Sequence, residues 1–159
     1  MATRNIVYSD NEFLRKKCKP VKEFNEALWQ LLDDMRDTMH VKIGCGLAAP
    51  QVGVLKNVVI VEVNNMFLEL INPEVLEEIG IQESLEGCLS VKNIQGYVNR
   101  PEQITVKACD RYGDEFVITG TGYLACALSH ETDHLKGIIF TDKLIRPYNP
   151  EDEKKGKKK

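Results

Sequence analysis

Between Glu23 and His40 the apolar residues Phe24, Leu28, Leu31, Leu32, Met35 and Met39 recur at helical intervals, with polar residues between them. This spacing predicts an amphipathic helix that buries one stripe, stopped by Gly44 and Gly46. Asn57 to Val63 is a β-branched run, as expected of a buried strand. Residues 67–71 and 75–79 are expected as two short strands on either side of Asn72-Pro73. From Gln103 to Asp110 the residues Ile104, Val106 and Ala108 alternate inward, and Arg111 to Asp114 turns the chain into a strand over Glu115 to Ile118. A second helix is placed from Thr121, as N-cap, to Lys136, with Gly137 at its C′ position and Leu124, Leu128 and Leu135 for burial. The order of elements is that of an α+β fold. Mostly antiparallel sheets pack around a central C-terminal helix, joined by an N-terminal amphipathic helix.

Composition narrows the class of protein. A chain of 159 residues, 43% hydrophobic and 28% charged, suits one globular domain, placed at residues 1–148, followed by a charged tail at 149–159. A net charge of -3 argues against a broad nucleic-acid-binding surface and specific DNA binding. No apolar run approaches the about 18 residues of a membrane span, and MATRNIVYSDNEF lacks the core of a signal peptide, so the cytoplasm is expected. The five cysteines, without a CxxC pair, fit a reducing compartment; most are expected as small buried hydrophobes. The tail, ending in Lys-Lys-Gly-Lys-Lys-Lys159, reads as a solvated segment, with a contact to ribosomal RNA as the alternative.

Chemistry enters at Leu128-Ser-His-Glu-Thr-Asp-His134. On a helix, positions four apart lie about 40° round and ~6 Å along the axis, so His130 and His134 can face one ion. Glu131 then lies beside the ion, where a base is needed, and Asp133 is placed to accept the outer N–H of a ligating imidazole. The same letters also arise on solvated helix faces. A protease of the HExxH kind needs a further downstream ligand. Here His40 lies upstream, and the acids past Gly137 are Asp142, Glu151, Asp152 and Glu153. Cys88, in Leu85-Glu-Gly-Cys-Leu-Ser90, stands outside any periodic apolar segment and is the better third ligand. A structural metal site would need a fourth protein ligand, for which Cys45 is the nearest candidate. Gly44-Cys-Gly-Leu-Ala-Ala-Pro-Gln51 permits close backbone approach, and Gln51 offers an amide donor.

Together GCGLAAPQ (44–51), EGCLS (86–90) and SHETDH (129–134) resemble, in order and spacing, the motifs of the peptide deformylases. The likeness extends over roughly residues 4 to 145. It implies a hydrolase that removes the formyl group from the N-terminal methionine of nascent chains. Cys88, His130 and His134 would bind the metal with water as fourth ligand, and Glu131 would act as base and then acid. The Gln51 side chain and the Leu89 backbone N–H would form the oxyanion hole. Gly44, Cys45, Gly46 and Glu86 would meet the substrate, and Tyr123, Cys126 and Ala127 would line the methionine pocket. The resemblance implies Fe²⁺, with Zn²⁺, Ni²⁺ or Co²⁺ in the isolated protein, a choice that one sulfur and two nitrogens leave open. Ser129, Lys92, Gln95 and Asn99 depart from the family pattern, at positions that bear on substrate preference and rate.

Overall fold

The strand Val58–Val63 is buried on both faces, and the rest of the molecule is arranged about it. Val58 and Ile60 point into one apolar cluster; Val59, Val61 and Val63 point into another. Such two-sided burial is why the run shows no polar alternation. In the computed structural model, which describes residues 2–151, the order is α1 (Glu26–Val41), β1 (Gly46–Ala48), β2 (Val58–Val63), β3 (Met66–Ile79), β4 (Gln82–Cys88), β5 (Val91–Arg100), β6 (Gln103–Cys109), β7 (Glu115–Thr121), α2 (Gly122–His134) and β8 (Leu144–Pro147), with short 3₁₀ turns at Glu12–Arg15, Ala49–Val52 and Phe140–Lys143. The lysines of the tail lie outside the described residues.

Two antiparallel sheets result, one ordered β1-β2-β3-β6-β7 and one ordered β4-β5-β8. The first cluster seats α1 through Leu28, Leu31, Leu32, Met35 and Met39. The second seats α2 through Ala125, Ala127 and Leu128, with Leu135 just past its end, so the larger sheet lies between the helices. Leu14, Val91, Val98, Ile139 and Phe140 form a third cluster beneath the smaller sheet.

Several expectations need correcting. Asn72-Pro73 does not divide two strands: β3 runs through it, and the pairing with β6 slips between Ile71 and Glu74. Asn72 takes φ 53°, and its side chain bonds both the N–H and the carbonyl of Val21. Helix α1 is N-capped by Asn25, whose side chain accepts from the Leu28 N–H, and its closing left-handed residue is Ile43 rather than Gly44. Thr121 is the N-cap of α2 but makes no side-chain cap bond; α2 ends at His134, and Gly137 holds a left-handed turn beyond it. A Cβ at Gly137 would sit 2.3 Å from the Arg15 carbonyl oxygen. Only Cys126 among the cysteines is fully buried, and all five are free thiols. Among the described residues no helix is long and apolar enough to cross a membrane.

Candidate active site

His130 and His134 project from the buried side of α2, with ring centroids 5.2 Å apart. Cys88 comes to them as the last residue of β4, just past a slip in its pairing with β5. Its Sγ lies 3.4 Å from His134 Nε2, and one donor atom from each of the three residues falls within 4.8 Å of the others. Metal bonds of roughly 2.0–2.3 Å at a tetrahedral centre put paired donors roughly 3.5 Å apart, so the trio fits one ion. Cys45 is not part of this cluster: its thiol bonds the Tyr123 hydroxyl at 3.0 Å.

Arg100 organises the surroundings. It is 2% exposed and bonds Glu86 through two nitrogens (2.9 and 2.8 Å), Asp133 (2.7 Å) and Ser129 Oγ (3.3 Å). Glu86 Oε1 in turn accepts from His130 Nδ1 at 2.8 Å, which leaves His130 Nε2 to face Cys88 and Glu131. The expected role of Asp133 is thereby corrected. Its carboxylate takes Arg100 and Lys143, and Glu86 orients the imidazole because β4 passes nearer to that ring nitrogen.

Charge follows burial. Burial alone would raise Glu86, but the Arg100 and His130 hydrogen bonds outweigh it and hold the carboxyl down at about 2. Burial, then the neighbouring His130, pushes His134 down to about 3, so its ring is neutral. At His130 burial is outweighed by Glu131, Cys88 and Glu86, which favour positive charge at this point. Burial lifts Glu131 to about 7 against the pull of His130. One Glu131 oxygen lies 4.0 Å from His130 Nε2, while Oε1 is buried with no hydrogen-bond partner among the described residues.

The opposite wall is built from the glycine-rich segment. A Cβ at position 46 would sit 2.5 Å from Glu131 Oε2, so glycine alone lets β1 lie against that carboxylate. Gln51 is buried, and its Oε1 accepts the Ala48 N–H at 2.9 Å. That bond fixes the amide's orientation and aims Nε2 at Ser90 Oγ (3.0 Å) and Cys88 Sγ (3.5 Å). The Val7 and Ser9 N–H groups bond the carbonyls of Gln51 and Ser90, clamping both segments from the N-terminal stretch.

These groups share a cleft of about 520 Å³ that runs between β1 and β4, each the terminal strand of its sheet. The polypeptide deformylase family model matches residues 3–149. The chain belongs to the peptide deformylase family. It is 51% identical to the peptide deformylase of Caldicellulosiruptor bescii over 96% of this chain and 92% of that one. A peptide deformylase from Legionella pneumophila superposes with a TM-score of 0.87 at 42% identity, covering 99% of this chain and 93% of that one. A Met-Ala-Ser-bound class I type b peptide deformylase from Acinetobacter baumannii gives 0.86 at 31% identity, covering 90% and 99%.

The cleft gathers Gly44, Cys45, Gly46, Gln51, Glu86, Cys88, Leu89, Tyr123, Cys126, Ala127, His130 and Glu131 along its walls, and His134 lies just beneath. Gln95 also lines it, and Ser129 belongs to the Arg100 network; Lys92 instead stacks over the Tyr8 ring at 4.2 Å. Arg100 and Ser84 were missed. A buried arginine in a strand carries no local signature, because its partners lie 14 and 33 residues away.

Proposed function

We propose that this chain hydrolyses the N-terminal formamide of formyl-methionyl peptides by the following division of labour. Cys88, His130 and His134 hold one divalent cation. Glu131 moves the proton. The Gln51 amide and the Leu89 N–H meet the developing oxyanion. Residues 1–148 form the catalytic unit. The observation that carries this reading is the convergence of three metal-donor atoms within 4.8 Å, flanked by the buried Glu131 carboxylate and the anchored Gln51 amide. A cation bound there lowers the pKa of a water molecule and polarises a carbonyl oxygen.

The peptide enters extended, its main chain alongside Gly44, Cys45 and Gly46 on one strand edge and Glu86 and Gly87 on the other. Its methionine side chain fills the recess made by Ser84, Tyr123, Cys126 and Ala127. Glu131 takes a proton from the attacking water. As the formyl carbon becomes tetrahedral, its oxygen gains charge that the Gln51 Nε2–H and Leu89 N–H stabilise; losing one such donor typically costs about 10²–10³ in rate. Glu131 then returns the proton to the peptide nitrogen as the C–N bond breaks. The products are formate and a free methionine amino group. Nascent chains in the cytoplasm are the substrates this reading implies.

For the cation we propose Fe²⁺, which a thiolate and two imidazoles accept along with Zn²⁺, Ni²⁺ and Co²⁺. Elemental analysis of anaerobically purified protein tests it: near-stoichiometric iron supports Fe²⁺, and zinc in its place refutes it. The role of Gln51 is tested by Gln51→Leu, for which kcat falls about 10²-fold or more with metal content unchanged. Parent-like kcat would remove Gln51 from the oxyanion hole.

A further inference from the structure

Ile43 is the most exposed large apolar side chain of the described residues, at 92%. Its backbone is also in the left-handed region, at φ 58°. The Ile43 N–H bonds the His40 carbonyl (3.2 Å) and the Gly44 N–H bonds the Met39 carbonyl (2.9 Å). This pair of bonds closes a helix around one left-handed residue, a place where glycine or asparagine is usual. A β-branched side chain is unfavourable there. Neither burial nor backbone preference explains isoleucine at this position.

Its location does. Ile43 lines the mouth of the substrate cleft, and so does Leu85, 43% exposed on β4. Leu85 lies between the buried Ser84 and Glu86, so its side chain points to the opposite face of the strand. Gly44, Gly87, Leu89 and Gln95, which also line the cleft, carry no charge, and its ionisable residues Glu86, His130 and Glu131 are buried. A peptide laid extended along β4 with its first side chain on the Ser84 and Glu86 face presents its second on the Leu85 face.

We propose that Ile43 and Leu85 form an apolar rim that contacts the side chain of the residue after formyl-methionine and favours substrates in which that residue is apolar. The inference rests on the deformylase reading above. It makes these two residues determinants of specificity, away from the reacting atoms.

The test compares formyl-Met-Leu-Ser with formyl-Met-Asn-Ser, whose second residues are similar in size. The parent, loaded with Fe²⁺ or Ni²⁺, is expected to prefer the leucine peptide on the order of 3–10-fold in kcat/KM, through KM, as for partial burial of a leucine side chain. In Ile43→Asn, which suits the left-handed backbone and should melt no lower than the parent, that preference shrinks; Leu85→Asn shrinks it independently. The product peptides Met-Leu-Ser and Met-Asn-Ser, used as competitive inhibitors, should rank in the same way. Equal KM values in the parent, or a preference unchanged in both variants, would overturn the rim while leaving the deformylase reading intact. Parent dimerisation abolished by Ile43→Asn, without any substrate preference, would assign the rim to a second copy of the chain and also overturn it. No formate from either peptide would instead defeat the deformylase reading, and the rim with it.

Discussion

At Gly46 the backbone lies tight against the proposed base, since a Cβ there would sit 2.9 Å from Glu131 Cδ as well as against its oxygen. Gly46→Ala should therefore displace the carboxylate without touching a metal donor. A shift of about 1 Å in such a group can cost about 10² in rate, so kcat is expected to fall by about that factor with metal content unchanged. Single-turnover kinetics on a metal-quantified sample checks it; parent-like kcat would mean that Glu131 has more freedom than its packing shows. At this scale the sequence is most informative where geometry is local. His130 and His134 share a helix face by their spacing alone, and Glu131 is adjacent to them. Cys88 required an argument from what it did not resemble. Glu86 on His130 was illegible, because that bond joins residues 44 apart, and the nearby Asp133 was the natural but mistaken choice.

Helix α1 and the β6–β7 hairpin could be read because their buried faces are apolar and periodic. Strands β4 and β5 could not be, because Ser84, Glu86 and Arg100 face inward and a polar interior erases the period-two signal. That interior is costly to disturb. Arg100→Met would leave the buried Glu86 with only His130 and Asp133 with only Lys143, and removing one side of such a network typically costs about 3–5 kcal/mol. Chemical denaturation should show that loss; a change below about 1 kcal/mol would mean water reaches both carboxylates. A second, weaker tie links the turns at Glu12–Arg15 and Phe140–Lys143. The Arg15 hydrogen bond, opposed by burial and aided by the Ile139 N–H, holds Asp142 below the usual carboxylate range. A carboxyl lowered on folding contributes stability that is complete above its unfolded value, about 3.9, and lost as pH falls through the folded value. Asp142→Asn should accordingly flatten the acid limb of the stability curve. An unchanged limb would show that the half-exposed pair is screened by solvent.

Across the whole molecule the proposed metal donors come from separate parts: Cys88 from the smaller sheet, His130 and His134 from the helix packed on the larger one. The division into two sheets was not visible in the sequence, since strand pairing is a long-range property. Binding energy at the junction should appear as global stability. A cation at a hundred times its dissociation constant adds about 2.7 kcal/mol, so chelation should lower the melting temperature of the parent. Cys88→Ser should fold, hold little metal and show almost no response to chelator. A chelator effect undiminished in that variant would place the ion elsewhere.

We propose that these donors, with Glu131 beside them, form a working deformylase site. Formate release from a formyl-Met-Ala-Ser peptide, by anaerobically prepared protein loaded with Fe²⁺ or Ni²⁺, tests it most directly. Release is expected to require the metal and to be lost in Glu131→Ala while that variant retains one ion per chain. Parent protein with one ion bound and no formate released, or Glu131→Ala as active as the parent, would contradict it.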